Sequence, residues 1–270
     1  LSRTSGRASM KIGVIQGRLL PPINGHIQES PSDWRKEFIL LRQLDLNHVE
    51  WIVTTTSFEK NPVFYEELKE FKISSICADN LVDEKFTSDS FLRENLDPIC
   101  IAALKNKIDW VTIPLLEKSD ISNETDRKNF TSLIIEYADR YPKLNFSFEA
   151  ETHWNNVLEI ANLKDNFWIT YDTGNITSQR LDHSDYIRNT IHKISNVHLK
   201  DRTFSGQTIA PATGDTDFKT IFNTLSEMKY NGLYTLQTAR GLDGMEIQTI
   251  HEHKKLFERM NNFEDDSRPF

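Results

Sequence analysis

Eight times along this chain a short run of β-branched, aromatic and aliphatic residues gives way to a longer stretch with helical spacing. The runs are Lys11–Gln16, His48–Val53, Lys72–Ala78, Trp110–Leu115, Leu144–Glu149, Phe167–Asp172, Asn196–Lys200 and Leu233–Thr238. Segments of this length and composition read as strands. Between them, Trp34, Phe38 and Leu41 recur on one helical face, as do Phe218, Ile221, Phe222 and Leu225. Asp217 is placed to cap that later helix and Asn231-Gly232 to stop it. Strands that alternate with helices pair in parallel, because a parallel neighbour needs a crossover.

Eight such units with no break in composition predict an α/β protein, a closed (β/α)8 TIM barrel in a single domain over residues 10–260. The length of 270 residues is ordinary for that architecture. An open doubly wound sheet usually brings a glycine-rich phosphate turn after its first strand, whereas Gln16-Gly17-Arg18-Leu19 offers one glycine. Leu1–Ser9 is polar and basic without the apolar stretch of a secretory signal, and is expected to be a disordered leader or an expression remnant. Residues 261–270 are expected to form a flexible acidic tail.

Net charge of −8 argues against a nucleic-acid partner, which would need a basic face. No run has the length of a membrane span. Two cysteines, Cys77 and Cys100, in no ligand spacing fit free thiols in a reducing cytoplasm.

The phase of the later strands carries more information. Leu144, Phe146 and Phe148 share one face, against Asn145, Ser147 and Glu149. The same split sets Phe167, Ile169 and Tyr171 against Trp168, Thr170 and Asp172; Val197 and Leu199 against Asn196, His198 and Lys200; and Tyr234 and Leu236 against Thr235 and Gln237. A barrel strand turns its outer face to apolar helices, so the polar face is the inner one. Glu149, Asp172, His198 and Gln237 all lie on it near the C-terminal strand ends, where such barrels place their catalytic groups. Any one of them alone reads as a rim carboxylate or a structural histidine. Four in one phase on consecutive strands form a mixed nitrogen and oxygen ligand set for one divalent cation, with Mn²⁺, Mg²⁺ or Co²⁺ preferred over Zn²⁺ because no cysteine joins the set.

The motifs Lys11-Ile-Gly-Val-Ile-Gln-Gly-Arg-Leu19, Val49-Glu-Trp-Ile52, Ser75-Ile-Cys-Ala-Asp79, Tyr171-Asp-Thr-Gly-Asn175, Val197-His-Leu-Lys-Asp-Arg202 and Gly214-Asp-Thr-Asp-Phe218 resemble the xylose isomerase-like sugar phosphate isomerase/epimerase family, part of the AP endonuclease family 2 superfamily. The resemblance spans roughly Met10 to Met260 and is most specific in the fourth and fifth motifs. It implies a metal-dependent sugar or sugar-phosphate isomerase or epimerase working through an ene-diolate, with Glu149 as base and Glu149, Asp172 and His198 as ligands. Glu151 shares the strand phase and is the reserve for Glu149. The family's fourth ligand, a second glutamate, is replaced here by Gln237, which can coordinate but cannot exchange a proton. A single base suits aldose–ketose isomerisation; epimerisation needs a second group, for which Glu50 and Asp79 are candidates.

Asn175 is expected to bind substrate or form a turn. Lys200, Arg202, Arg240 and Arg18 are candidate phosphate or hydroxyl binders, Trp51 stacks on a sugar or fills core, and Trp168 fills core. The partner is a small sugar or sugar phosphate, and a homo-oligomer is compatible with the sequence. Rival readings are a keto-sugar or cyclitol dehydratase and a non-catalytic sugar-binding barrel. An apurinic-site endonuclease would need several additional histidines, whereas the third strand ends in Cys77-Ala-Asp-Asn80 and Asn175 stands where a histidine would be wanted.

Overall fold

The computed structural model describes residues 9–262, apart from residues 27 and 87. Eight parallel strands close into a barrel: β1 (Lys11–Ile15), β2 (Val49–Ile52), β3 (Ile73–Cys77), β4 (Trp110–Leu115), β5 (Asn145–Ala150), β6 (Phe167–Asp172), β7 (Ile194–Leu199) and β8 (Leu233–Leu236). Each pairs with its chain neighbours, and β1 closes on β8. The strands are those expected from the runs, mostly trimmed by a residue or two. The expected leader falls on residues outside the description apart from Ser9, and residues 263–270 of the expected tail do so too. Residues 261 and 262 are not tail, because the last helix runs Glu246–Asn262 and buries Asn261.

The outer faces of the strands are apolar and packed. Phe146, Phe148, Ile169, Tyr171, Val197, Leu199, Tyr234 and Leu236 are buried in the layer between barrel and helices. Phe148 meets Phe130 of helix Glu124–Arg140 edge-on at 5.7 Å and Phe167 of β6 at 5.1 Å. Trp51 belongs to this layer, 5.4 Å from Trp34 and bonded through its indole nitrogen to Asn61 Oδ1 at 2.8 Å, so it fills core. The helix Phe218–Glu227 is capped by Asp217, whose side chain accepts from the Thr220 amide, as expected. It stops earlier than Asn231-Gly232, because Met228 ends it and Lys229 turns left-handed at φ 56°.

The inner faces are polar. Ser147 Oγ lies 2.6 Å from Thr170 Oγ1 and 2.7 Å from Ser195 Oγ, and His48 Nε2 lies 3.0 Å from Thr235 Oγ1. Gly13 is required where β1 passes this histidine, since a Cβ there would sit 2.3 Å from the His48 ring. One irregularity sets the phase of the later half. Ile169 pairs with Ile194 but Thr170 pairs with Asn196, so β7 carries one extra residue at Ser195. A slip of one residue exchanges the faces of a strand. Without the bulge Val197 would stand beside Asp172; with it, His198 does.

The packing generates a stability expectation. Phe148→Ala should cost about 3–5 kcal/mol, read as a lowered midpoint in urea unfolding, and a loss under about 1 kcal/mol would contradict the assigned outer face.

Candidate metal centre

Glu149 is next to last in β5, Asp172 closes β6 and His198 is next to last in β7. Their side chains are buried and converge inside the C-terminal mouth, one ligand atom of each within 4.8 Å of the others. His198 Nδ1 is 3.4 Å from Glu149 Oε2 and 4.0 Å from Asp172 Oδ2. Neither His198 Nδ1 nor Asp172 Oδ2 makes a hydrogen bond, although Lys200 Nζ stands 3.1 Å from that oxygen as an ion pair. Buried polar atoms are nearly always satisfied. Lone pairs of one nitrogen and two carboxylates aimed at a common point fit a divalent ion.

The histidine is oriented from behind. His198 Nε2 lies 2.6 Å from Glu50 Oε2, so the Nε2 proton is held by the carboxylate and Nδ1 turns its lone pair inward. Glu50 is itself fixed by Ser75 Oγ at 2.9 Å, Thr112 Oγ1 at 2.6 Å and Asn196 Nδ2 at 3.4 Å. Burial would raise the Glu50 carboxyl, but the His198 charge and hydrogen bond, with those hydroxyls, outweigh it and lower it to about 2. Burial likewise opposes charge on His198, yet Glu50 and Glu149 lift its imidazole well above the ordinary value. Glu149 ends below its usual range: His198, then Lys200, overcome the burial that would raise it. A divalent ion held by Nδ1 would take the place of any proton on that nitrogen.

Neighbouring residues complete the mouth. Asp172 caps the short helix Thr173–Ser178 by accepting from the Asn175 amide at 2.8 Å. Asn175 Nδ2 donates to Glu149 Oε1 at 3.1 Å, so this side chain reaches the centre as well as forming the turn. Gly174 lets the Lys200 stem pass, since a Cβ there would stand 2.9 Å from Lys200 Cγ. Gln237 follows β8, is buried, and leaves Oε1 without a hydrogen bond. Asp79, half-buried after β3, is raised to about 7 by burial and then by the charges of Glu149, Asp83 and Glu117.

Other candidates lie elsewhere. Glu151 is bound by Ser178 Oγ at 2.6 Å and Arg202 Nη1 at 3.3 Å, outside the three-residue group. Glu50 stands behind His198 with both oxygens engaged, not as a free acid. Arg240 reaches the carbonyl oxygens of Leu20 at 2.9 Å and Gly17 at 2.5 Å. Arg18 is buried near Arg240, and burial followed by that like charge lowers it to about 9. The cleft beside the two arginines holds about 10 Å³, room for one water at most. Cys77 is buried and free, its thiol raised first by burial and then by Glu50. Trp168 lies half-buried at the opposite end of the barrel against Trp110, at 5.5 Å. The sequence offered Glu50 only as a candidate acid; its bond to a histidine five strands away in sequence order comes from closure of the barrel, which no local pattern shows.

Comparison with known proteins agrees with this architecture. Residues 131–260 match the family model described as xylose isomerase-like TIM barrel. No curated protein matches the chain by sequence. Among solved structures, an IolI protein with a bound zinc atom superposes with a TM-score of 0.73 at 14% identity, over 94% of this chain and 99% of that one. A D-tagatose 3-epimerase-like protein gives 0.68 at 18% identity, over 94% and 98%. The probable 3-DHS dehydratase AsbF of Bacillus anthracis gives 0.68 at 12% identity, over 92% and 98%. The chain is a closed (β/α)8 barrel whose second half is similar to the xylose isomerase-like TIM barrels, and identities this low carry the fold alone.

Two measurements follow from the geometry. Glu50→Gln removes the charge behind His198 and should weaken Mn²⁺ binding roughly 10–100-fold in calorimetry; unchanged affinity would show that the contact does not orient the ligand. Glu37, buried in helix Trp34–Gln43, accepts from the Gly17 amide at 2.6 Å, and burial raises its carboxyl from 4.5 to about 8. The unfolded chain loses this proton first, so stability should fall between about pH 5 and pH 8. Glu37→Gln should flatten that part of the profile, measured by denaturation across pH, and an unaltered slope would assign it to other groups.

Proposed function

We propose that the protein is a divalent-metal-dependent isomerase of a small ketose or keto-sugar. The observation that carries this reading is the convergence of Glu149 Oε2, Asp172 Oδ2 and His198 Nδ1, the last two without hydrogen bonds. A divalent ion held there, with Mn²⁺, Mg²⁺ or Co²⁺ favoured by the oxygen-rich donors, would supply Lewis acidity that acidifies the C–H of the hydroxyl-bearing carbon next to the carbonyl. Gln237 Oε1, buried and unbonded, is the fourth donor. Glu149 takes the C–H proton and returns it to the neighbouring carbon, held in position by Asn175 Nδ2. Lys200 Nζ, beside Asp172, adds a positive charge where the ene-diolate develops.

The substrate fits an uncharged sugar better than a phosphorylated one. Lys200 faces Asp172, Arg202 faces Glu151 and Arg240 faces backbone carbonyls, so a phosphate would have to displace existing partners. Among the described residues no helix is long and apolar enough to cross a membrane. The buried free thiols Cys77 and Cys100 favour a reducing compartment such as the cytoplasm.

One observation favours epimerisation as the second reading. Asp79, raised to about 7, is a proton carrier suited to neutral pH at the same mouth. Turnover of free and phosphorylated ketoses in D₂O with Mn²⁺ distinguishes the two. The isomerase reading expects metal-dependent aldose–ketose conversion without inversion, and Glu149→Gln should lower kcat by roughly 10²–10⁴-fold. A product inverted at one carbon, lost on Asp79→Asn, would replace it with epimerisation. No turnover of any ketose would remove both.

A further inference from the structure

The barrel is hollow at the end opposite the metal centre. Barrels of this architecture usually fill their interior with layers of bulky branched side chains. Here the inner positions of β3 to β7 carry Ser75, Thr112, Ser147, Thr170, Ser195 and Asn196, and these line a cavity of about 200 Å³. Trp110 and Leu233, the first residues of β4 and β8, line its N-terminal end. A polar space of this size does not stay dry.

The lining defines what it can hold. No charged side chain faces the cavity, so neither an anion nor a cation would be neutralised there. The donors of the wall are already engaged within it. Ser75 Oγ and Thr112 Oγ1 direct their protons to Glu50 Oε1 at 2.9 and 2.6 Å, Ser195 Oγ is 3.3 Å from Ile169 O, and Asn196 Nδ2 is 3.4 Å from Glu50 Oε2. What the wall leaves toward the cavity is hydroxyl acceptor capacity set among a larger apolar surface, since each hydroxyl can still accept after donating once. A ligand must therefore bring several O–H donors. Trp110, backed by Trp168 at 5.5 Å, gives one flat apolar wall for C–H groups. Many hydroxyl donors on a short uncharged carbon chain describe a neutral polyol.

We propose that the N-terminal end of the barrel is a second small-molecule site, for a short neutral polyol held by the hydroxyl ring and Trp110. This site does not rest on the reaction proposed above. Its ligand would contact Ser75, Thr112 and Asn196, the residues that fix Glu50, so both ends of the barrel share one hydrogen-bond network.

Erythritol is the probe, titrated into metal-free protein labelled with 5-fluorotryptophan. The fluorine resonance of Trp110, identified by its loss in Trp110→Phe, reports on this end of the barrel and not on the metal centre. The expected result is a saturable shift of that resonance, with affinity weakened about fivefold by Thr170→Val, which keeps the shape and removes one oxygen. Sodium sulfate should leave it unmoved. If Trp110→Phe does not fold, a wild-type crystal grown without glycerol and soaked in erythritol must show the polyol bonded to Thr170 and Ser147. A resonance unmoved by erythritol, a cavity holding only water after the soak, or an equal shift with sulfate overturns the assignment.

Discussion

The hydrogen bond from His198 Nε2 to Glu50, at 2.6 Å across the barrel, is the contact on which the candidate centre depends. It decides which imidazole nitrogen faces the mouth, and so whether the chain offers a metal ligand at all. It also lets a carboxylate stay ionised in the interior, since a charge without partners there would be costly. Ser75, Thr112 and Asn196 satisfy the remaining lone pairs, so three other strands converge on one side chain. The bulge at Ser195 brings His198 into this position; a β7 of regular register would present Val197 beside Asp172.

The polarity of the interior explains both ends of the barrel. At the mouth, β5 to β8 contribute Glu149, Asp172, His198 and Gln237, while the matching positions of β1 to β3 carry Ile15, Ile52 and Cys77, buried but outside the hydrophobic layer that packs on the helices. These candidate donors are thus gathered on one half of the rim, as the proposed single ion with substrate beside it requires. Below them the hydroxyl layer leaves space, and stability comes instead from the aromatic layer outside the strands, where Phe130, Phe148 and Phe167 interlock.

Much of this was legible in the sequence. Strand phase alone placed Glu149, Asp172 and His198 on the inner face near the strand ends, because period two is a local property. The eightfold alternation gave the barrel. What the sequence hid is what depends on closure and on exact length. Glu50 is three strands from Glu149 in the pattern of β-runs, and nothing local marks it as the partner of His198. Arg18 and Arg240 read as phosphate binders, yet when β1 closes on β8 Arg240 bonds the backbone carbonyls of Leu20 and Gly17 and Arg18 is buried nearby. The stop after Phe218–Glu227 moved because Lys229 adopts a left-handed turn that its residue type does not advertise. The hollow interior was visible only as a list of small polar residues, without a sign that they would face one another.

In the proposed centre one cation sits among three side chains with His198 turned by Glu50. Anomalous diffraction from a crystal soaked in Mn²⁺ tests it most directly. One strong peak is expected in contact with Glu149 Oε2, Asp172 Oδ2 and His198 Nδ1, with the Nε2 bond to Glu50 intact. A peak elsewhere, or an ion on Nε2 with Glu50 displaced, would contradict it.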